Sequence, residues 1–183
     1  MKEYTISEIR TMAENSYNYL KKYFDQNVGS HNFVIVRGDL ENNRLASFNV
    51  YTNRKVHIDI IKIDENKLIR KLRNGKVVNN LESKFSTALD EIIGEEIGSI
   101  LFYVSHDLDK RLGLVQEVAG YYSGMIYANR NNQELLFLRP YRNEESYERA
   151  KKLYTKFKDA KLAELATAKN LDDFNNLVSK FEV

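Results

Sequence analysis

Leu45-Ala46-Ser47-Phe48-Asn49-Val50-Tyr51 and Val56-His57-Ile58-Asp59-Ile60-Ile61-Lys62-Ile63 are the two stretches on which the fold turns. Both are rich in β-branched and aromatic residues and alternate in polarity, as strands with one buried face do. The gap between them is short enough for a hairpin. A three-residue loop at Thr52-Asn53-Arg54 sets Val50 opposite Val56, Phe48 opposite Ile58 and Ala46 opposite Ile60. That register gathers the apolar residues on one face. A two-residue loop would set Val50 against His57 and Phe48 against Asp59. Burial disfavours it, because one slip moves every side chain to the other face. The favoured register leaves Ser47, Asn49, Tyr51, His57 and Asp59 on a polar face.

Upstream, Phe33 to Arg37 is apolar on both alternating faces and is expected to be a strand covered on both sides. Before it, Thr5-Ile6-Ser7-Glu8 fits a capping box that opens a helix running to about Gln26, with Ile6, Ile9, Met12, Ala13, Leu20 and Phe24 on its apolar side. Downstream, Glu65 to Asn74 reads as a short helix stopped by Gly75, and Asn80 to Ile93 as another ended by Gly94. Ile100 to Ser105 reads as a central strand, and the charged His106 to Arg111 as a loop or helix start. Leu112 to Tyr122 fits helix and strand equally. Met125 to Asn129 and Glu134 to Leu138 read as a hairpin around Asn131-Asn132. Asn143 can cap a long helix to about Lys169, and Asn170 a last one whose inner side carries Leu171, Phe174, Leu177, Val178 and Phe181. Strands and helices come in groups, so the class is α+β: an N-terminal helix, an antiparallel sheet with its central strands covered by helices, and a C-terminal helical pair. The 183 residues suit one domain, 1–183, with 143–183 as a docked helical subdomain at most.

Composition narrows the function classes. The chain contains no cysteine, which excludes disulfides and thiolate metal sites. No apolar run is long enough to span a membrane, and the N-terminal residues lack the pattern of a signal peptide, so a soluble, cytoplasmic protein of a bacterial host is expected. The abundance of Asn, Lys, Ile and Tyr, all with AT-rich codons, points to a low-GC bacterium or one of its mobile elements. A net charge of +2 does not advertise nucleic-acid binding by the whole chain. There is no glycine-rich phosphate loop, no HExxH and no GxSxG. A PD-(D/E)xK nuclease core fails too: Asp59 and Lys62 have opposite parity on their strand, and Glu82-Ser83-Lys84 falls on a helix.

Three groups of residues can carry chemistry. His57 and Asp59, two apart on a strand, share a face, and a His–carboxylate pair can orient an imidazole for acid–base work or hold a metal. With His106 they form the candidate catalytic set, against the plainer reading of a solvated polar face. Lys67, Arg70, Lys71, Arg73 and Lys76 form one basic cluster. Arg149, Lys151, Lys152, Lys156 and Lys158, continued by Lys161 and interleaved with Tyr147, Tyr154 and Phe157, form a second. Such clusters can follow a phosphate backbone, and exposed tyrosines can stack on bases. A solvated helix face is the plainer reading here also. Glu91, Glu95 and Glu96 gather around Gly94, too few acids for a mimic of DNA. No metal-ligand set is present and no cofactor is indicated; a divalent metal enters only if RNA is cut.

The segment Tyr103-Val104-Ser105-His106-Asp107-Leu108-Asp109-Lys110-Arg111, the later Gly120-Tyr121-Tyr122-Ser123-Gly124, the length and the cysteine-free, low-GC character together resemble anti-CRISPR proteins of Gram-positive phages and plasmids that act on type II RNA-guided nucleases. Those families share no fold or motif, so the resemblance implies a partner class and no residue role. The partner it implies is a CRISPR effector nuclease with its guide RNA in a positively charged channel. Inhibition would block DNA entry, block guide loading or damage the guide. The basic clusters favour contact with the guide RNA, and the His57/Asp59 face leaves guide cleavage open. A stand-alone ribonuclease and a non-catalytic protein-binding regulator of a phage or plasmid are the alternatives.

Overall fold

The computed structural model describes residues 2–24, 28–53, 56–74, 81–138 and 143–182. The elements are α1 (Ile6–Leu20), β1 (Ser30–Arg37), β2 (Ala46–Asn53), β3 (Val56–Ile63), α2 (Glu65–Asn74), α3 (Leu81–Ser105), α4 (Gly113–Ala128), α5 (Glu144–Phe157), α6 (Leu162–Leu165) and α7 (Leu171–Glu182). The class is α+β. The sheet is mixed, in the order β1-β3-β2, with β1 parallel and β2 antiparallel to β3. Among the described residues, no helix is long and apolar enough to cross a membrane.

The capping box forms as expected: Thr5 N–H donates to Glu8 Oε2 at 2.7 Å, and Glu8 N–H to Thr5 Oγ1 at 3.1 Å. The helix is shorter than its pattern, giving way after Leu20 to one 3-10 turn, Lys21–Tyr23. Gln26 lies outside the described residues.

The β2–β3 hairpin forms in neither register considered from the sequence. Phe48 pairs with Ile61, Ala46 with Ile63 and Val50 with Asp59. Both faces of β3 carry isoleucines, so apolar content alone did not choose between them. The odd face is buried: Ile61 and Ile63 are fully covered, together with Phe33 and Ile35 of β1. His57 and Asp59 share that face and go into the interior with it. Ile58, Val56 and Tyr51 face outward, as do Val34 and Val36 of β1, at 38 to 58 % exposure. The expectation that β1 is covered on both sides therefore fails. It is an edge strand, with α1 packed on its inner face only.

The largest correction concerns α3. It runs 25 residues, straight through Gly94, and includes the Ile100 to Ser105 segment expected as a central strand. A stretch that is apolar all round fits a buried helix as well as a buried strand, and α3 is the central helix, touching α1, α2, α4 and β2. Met125 to Ala128 is likewise the last turn of α4, and Glu134 to Leu138 has no regular structure, so no hairpin forms there. The two helices form an antiparallel pair at a distance only glycine permits. A Cβ on Gly124 would lie 2.5 Å from the Glu91 carbonyl oxygen, and one on Gly98 would lie 2.2 Å from Ser123 Cβ. Gly94 and Gly120 complete the contact.

The long C-terminal helix also breaks. Lys158 adopts φ +53°, and the chain turns into the four-residue α6, burying Leu162 and Leu165. The turn lets Tyr23 Oη donate to Asp159 Oδ2 at 2.6 Å. Asn170 caps α7 as expected, accepting from Asp173 N–H at 2.8 Å. Phe174, Val178 and Phe181 are buried, whereas Leu171, assigned to the inner side, is 47 % exposed.

Candidate functional site

Tyr17 of α1 packs on His31 and Phe33 of β1, the strand that runs beside the polar residues of β3. His31 Nδ1 bonds Asp59 Oδ2 at 2.5 Å, and its Nε2 bonds the Val28 carbonyl at 2.8 Å. Both side chains of the pair have zero exposure. The His57 ring stacks on His31 at 4.7 Å, and its Nδ1 is 3.0 Å from Thr52 Oγ1. Burial, and then the His31 charge, lower the His57 pKa, with Asp59 opposing. The surface polar face expected from the sequence is therefore an interior polar knot. His31, absent from the candidate set, is its hub, because parallel pairing of β1 sets it beside His57. A ring with both nitrogens bound has none left to exchange a proton with a substrate.

His106 is held elsewhere. Its Nδ1 faces the Phe102 carbonyl at 2.7 Å and its Nε2 the Ala168 carbonyl at 2.8 Å, while the ring stacks on Phe102. It ties the end of α3 to the approach to α7. The three candidate catalytic residues do not converge.

The basic residues divide by use. Lys67 bonds the Leu40 carbonyl and pairs with Asp64, which caps α2. Lys71 is half-buried and turned toward a cavity, and Lys76 lies outside the described residues. Arg70 and Arg73 are exposed. In the second cluster Arg149 pairs with Glu145 at 2.8 Å, Lys151 lies over Phe137, Lys158 over Tyr154, and Lys156 bonds the Phe181 carbonyl at 2.9 Å. Lys152 is exposed. Tyr147 and Tyr154, read as stacking platforms, are 2 and 4 % exposed and belong to the core.

The best-formed cavity, about 250 Å³, is walled by α2, α3, α4, α5 and the approach to β2. Four carboxylates line it: Glu91, Glu95 and Glu96 of α3, and Glu117 of α4. Glu91 Oε1 accepts from Leu138 N–H at 2.9 Å, whereas its buried Oε2 has no partner. Burial raises the Glu91 pKa to about 7, against backbone hydrogen bonding from Leu138, Leu136 and Phe137 and the charge of Lys71. Burial raises Glu96 to about 8, opposed by the charge of Arg44. Glu95 is raised by burial and then by its acidic neighbours Glu96 and Glu91. Glu117 accepts from Asn143 Nδ2 at 2.6 Å and from Ser146 Oγ at 3.3 Å, and burial raises it also. Displaced carboxyl groups converging on a cavity mark a functional site more often than a solvated face does. The acidic residues around Gly94 were visible in the sequence, but a helix ended at Ile93 could not place them on one wall. Their spacing with Ile92 and Ser99 was the signal. No protein-family model, curated protein or solved structure matches the chain.

Proposed function

We propose that this protein inhibits a type II RNA-guided nuclease by binding it, leaving the guide RNA intact. The resemblance of the sequence supports the partner class, and the burial of the candidate catalytic groups supports the mode of action. The observation that carries the mode is the fate of the candidate catalytic groups. His57 is buried with its Nδ1 at Thr52 Oγ1, Asp59 has no exposed side-chain surface, and both nitrogens of His106 are engaged by backbone carbonyls. General acid–base cleavage of RNA needs such groups within reach of the substrate. Contact with the guide falls to the exposed cations Arg70, Arg73 and Lys152. The outer face of the sheet, with Val34, Val36, Ile58 and Tyr51 open, adds apolar area for the protein part of the complex.

The test mixes the purified protein with a type II nuclease and end-labelled guide. The RNA is then run on a denaturing gel beside a DNA-cleavage assay. Intact guide with lost DNA cleavage is the expected result. Guide shortened only in the presence of both proteins would overturn the binding mode. Normal DNA cleavage would overturn the partner class.

A further inference from the structure

The α3–α4 cavity holds more acid than the fold uses. Glu96 is 7 % exposed, lines the cavity and, among the described residues, feels the charge of Arg44 without a hydrogen bond or ion pair; Glu91 is 6 % exposed, held through the backbone of Leu136 to Leu138, with no hydrogen-bond partner placed at Oε2. The charged and titratable groups facing them are Glu95, Glu117 and Tyr121 from α3 and α4, Tyr147 from α5, Lys71 from α2 and Arg44 from the loop before β2. Four carboxyl groups thus stand beside two cations, and burial holds two of them, Glu91 and Glu96, near the point of protonation at neutral pH. A buried carboxylate without a partner is costly, and it takes up either a proton or a cation.

The shape of the site selects the kind of cation. Among the described residues, no three His, Asp or Glu side chains converge as a metal ion requires. Glu91 and Glu95 are one helical turn apart, about 6 Å along the axis. The rest of the lining mixes hydrocarbon and aromatic side chains, Ile92, Met125, Leu138 and Tyr121, with uncharged polar ones such as Asn43, Ser99 and Gln116. A small inorganic ion would leave that wall bare. Ammonium groups joined by methylenes match both features, charge at intervals and hydrocarbon between, and tyrosine faces attract such cations. The 250 Å³ hold about eight waters at roughly 30 Å³ each, which is room for a short chain.

We propose that this cavity is a binding site for a linear aliphatic polyamine, with its ammonium groups on Glu91, Glu95 and Glu96 and its methylenes against Ile92, Met125 and Leu138. The site is independent of the nuclease reading. Because Glu91 and Glu96 hold protons near neutral pH, the polyamine displaces them as it binds.

Isothermal titration of the full chain at pH 7.5 with spermidine, putrescine and magnesium chloride, each in two buffers of different ionisation enthalpy, tests this. The expected result is saturable binding of one spermidine, at least tenfold tighter than magnesium, with heats that differ between buffers because protons are released. Glu96→Gln and Glu91→Gln should each weaken spermidine by tenfold or more, while Glu164→Gln, on the surface at α6, should not. Equal or tighter magnesium binding, no saturable heat, or unchanged affinity in folded Glu96→Gln would overturn the proposal. Should either variant misfold, the comparison of spermidine with magnesium on the unaltered chain decides alone.

Discussion

Asp59 shows at the residue scale how one position changes meaning between sequence and structure. On a solvated face its carboxylate would be a candidate base; buried beside His31 it is half of an internal pair. Removing one partner of such a pair leaves the other uncompensated. Asp59→Asn should therefore lower unfolding free energy by about 3 kcal/mol, measured by urea denaturation. Whatever fraction remains folded should inhibit with unchanged potency. Loss of inhibition in a variant of undiminished stability would return Asp59 to a direct role. The surface cations make the opposite prediction. Arg70→Ala, Arg73→Ala and Lys152→Ala combined should leave stability within about 0.5 kcal/mol. Inhibition by this variant should be weaker and less sensitive to salt, because each lost phosphate contact removes about one unit of salt dependence. A salt titration of inhibition that superimposes on that of the unaltered protein would dismiss the phosphate contacts.

At the scale of elements, the α3–α4 pair organises the molecule. Its glycines are spaced four apart on each helix, Gly94 with Gly98 and Gly120 with Gly124, so each pair lies on one face. Glycine weakens an isolated helix, and for that reason Gly94 reads as a stop. It survives inside α3 because the missing Cβ admits the partner helix. Gly124→Ala puts a methyl against the Glu91 carbonyl, a backbone atom that cannot swing aside. The helices must then separate, at a cost of about 2 kcal/mol or more. The same movement should loosen the carboxylate cavity, since Glu91 and Glu95 lie along that seam. A melting temperature unchanged in Gly124→Ala would refute this close packing. Part of this scale was legible: the capping box at Thr5, α2, the Asn170 cap and both strands of the hairpin stand where their patterns put them, whereas the Ile100 to Ser105 strand and the second hairpin gave way to helix and irregular chain. The hairpin register was not, because Ile58 and Ile60 compete with Ile61 and Ile63 for the interior, and only the helices above the sheet choose.

For the whole molecule, the buried titratable groups set a stability profile with two limbs. Glu91 and Glu96 have folded-state values of about 7 and about 8, above the 4.5 of an unperturbed glutamate. The native state therefore holds more protons than the unfolded chain between those values. Stability should fall as pH rises from about 4.5 through 8. His57 acts in the other direction. Its lowered value favours the neutral ring, so its contribution is present above about 6.5 and is lost as pH falls. The melting temperature should peak between about pH 5 and 6.5 and drop by several degrees toward pH 8.5. Glu91→Gln with Glu96→Gln should flatten the alkaline limb. Differential scanning calorimetry across that range decides, and an alkaline limb as steep in the double variant would place its origin elsewhere.

Local chemistry wrote α2, the strands before it and the caps at Thr5 and Asn170 into the sequence, since capping, periodicity and turn residues act within a few positions of one another. So did the absence of thiolate chemistry and the grouping of strands and helices that makes the class α+β. Tertiary structure decided what depends on residues far apart in the chain. It joined Ile100 to Ser105 to the end of α3, and it gave β1 a parallel partner, which brought His31 to Asp59. It also converted four glutamates from α3 and α4 into one wall. Burial is a property of the assembled molecule, and it turned the expected polar face into an interior pair and gathered the glutamates of α3 and α4 in a cavity where their pKa values rise.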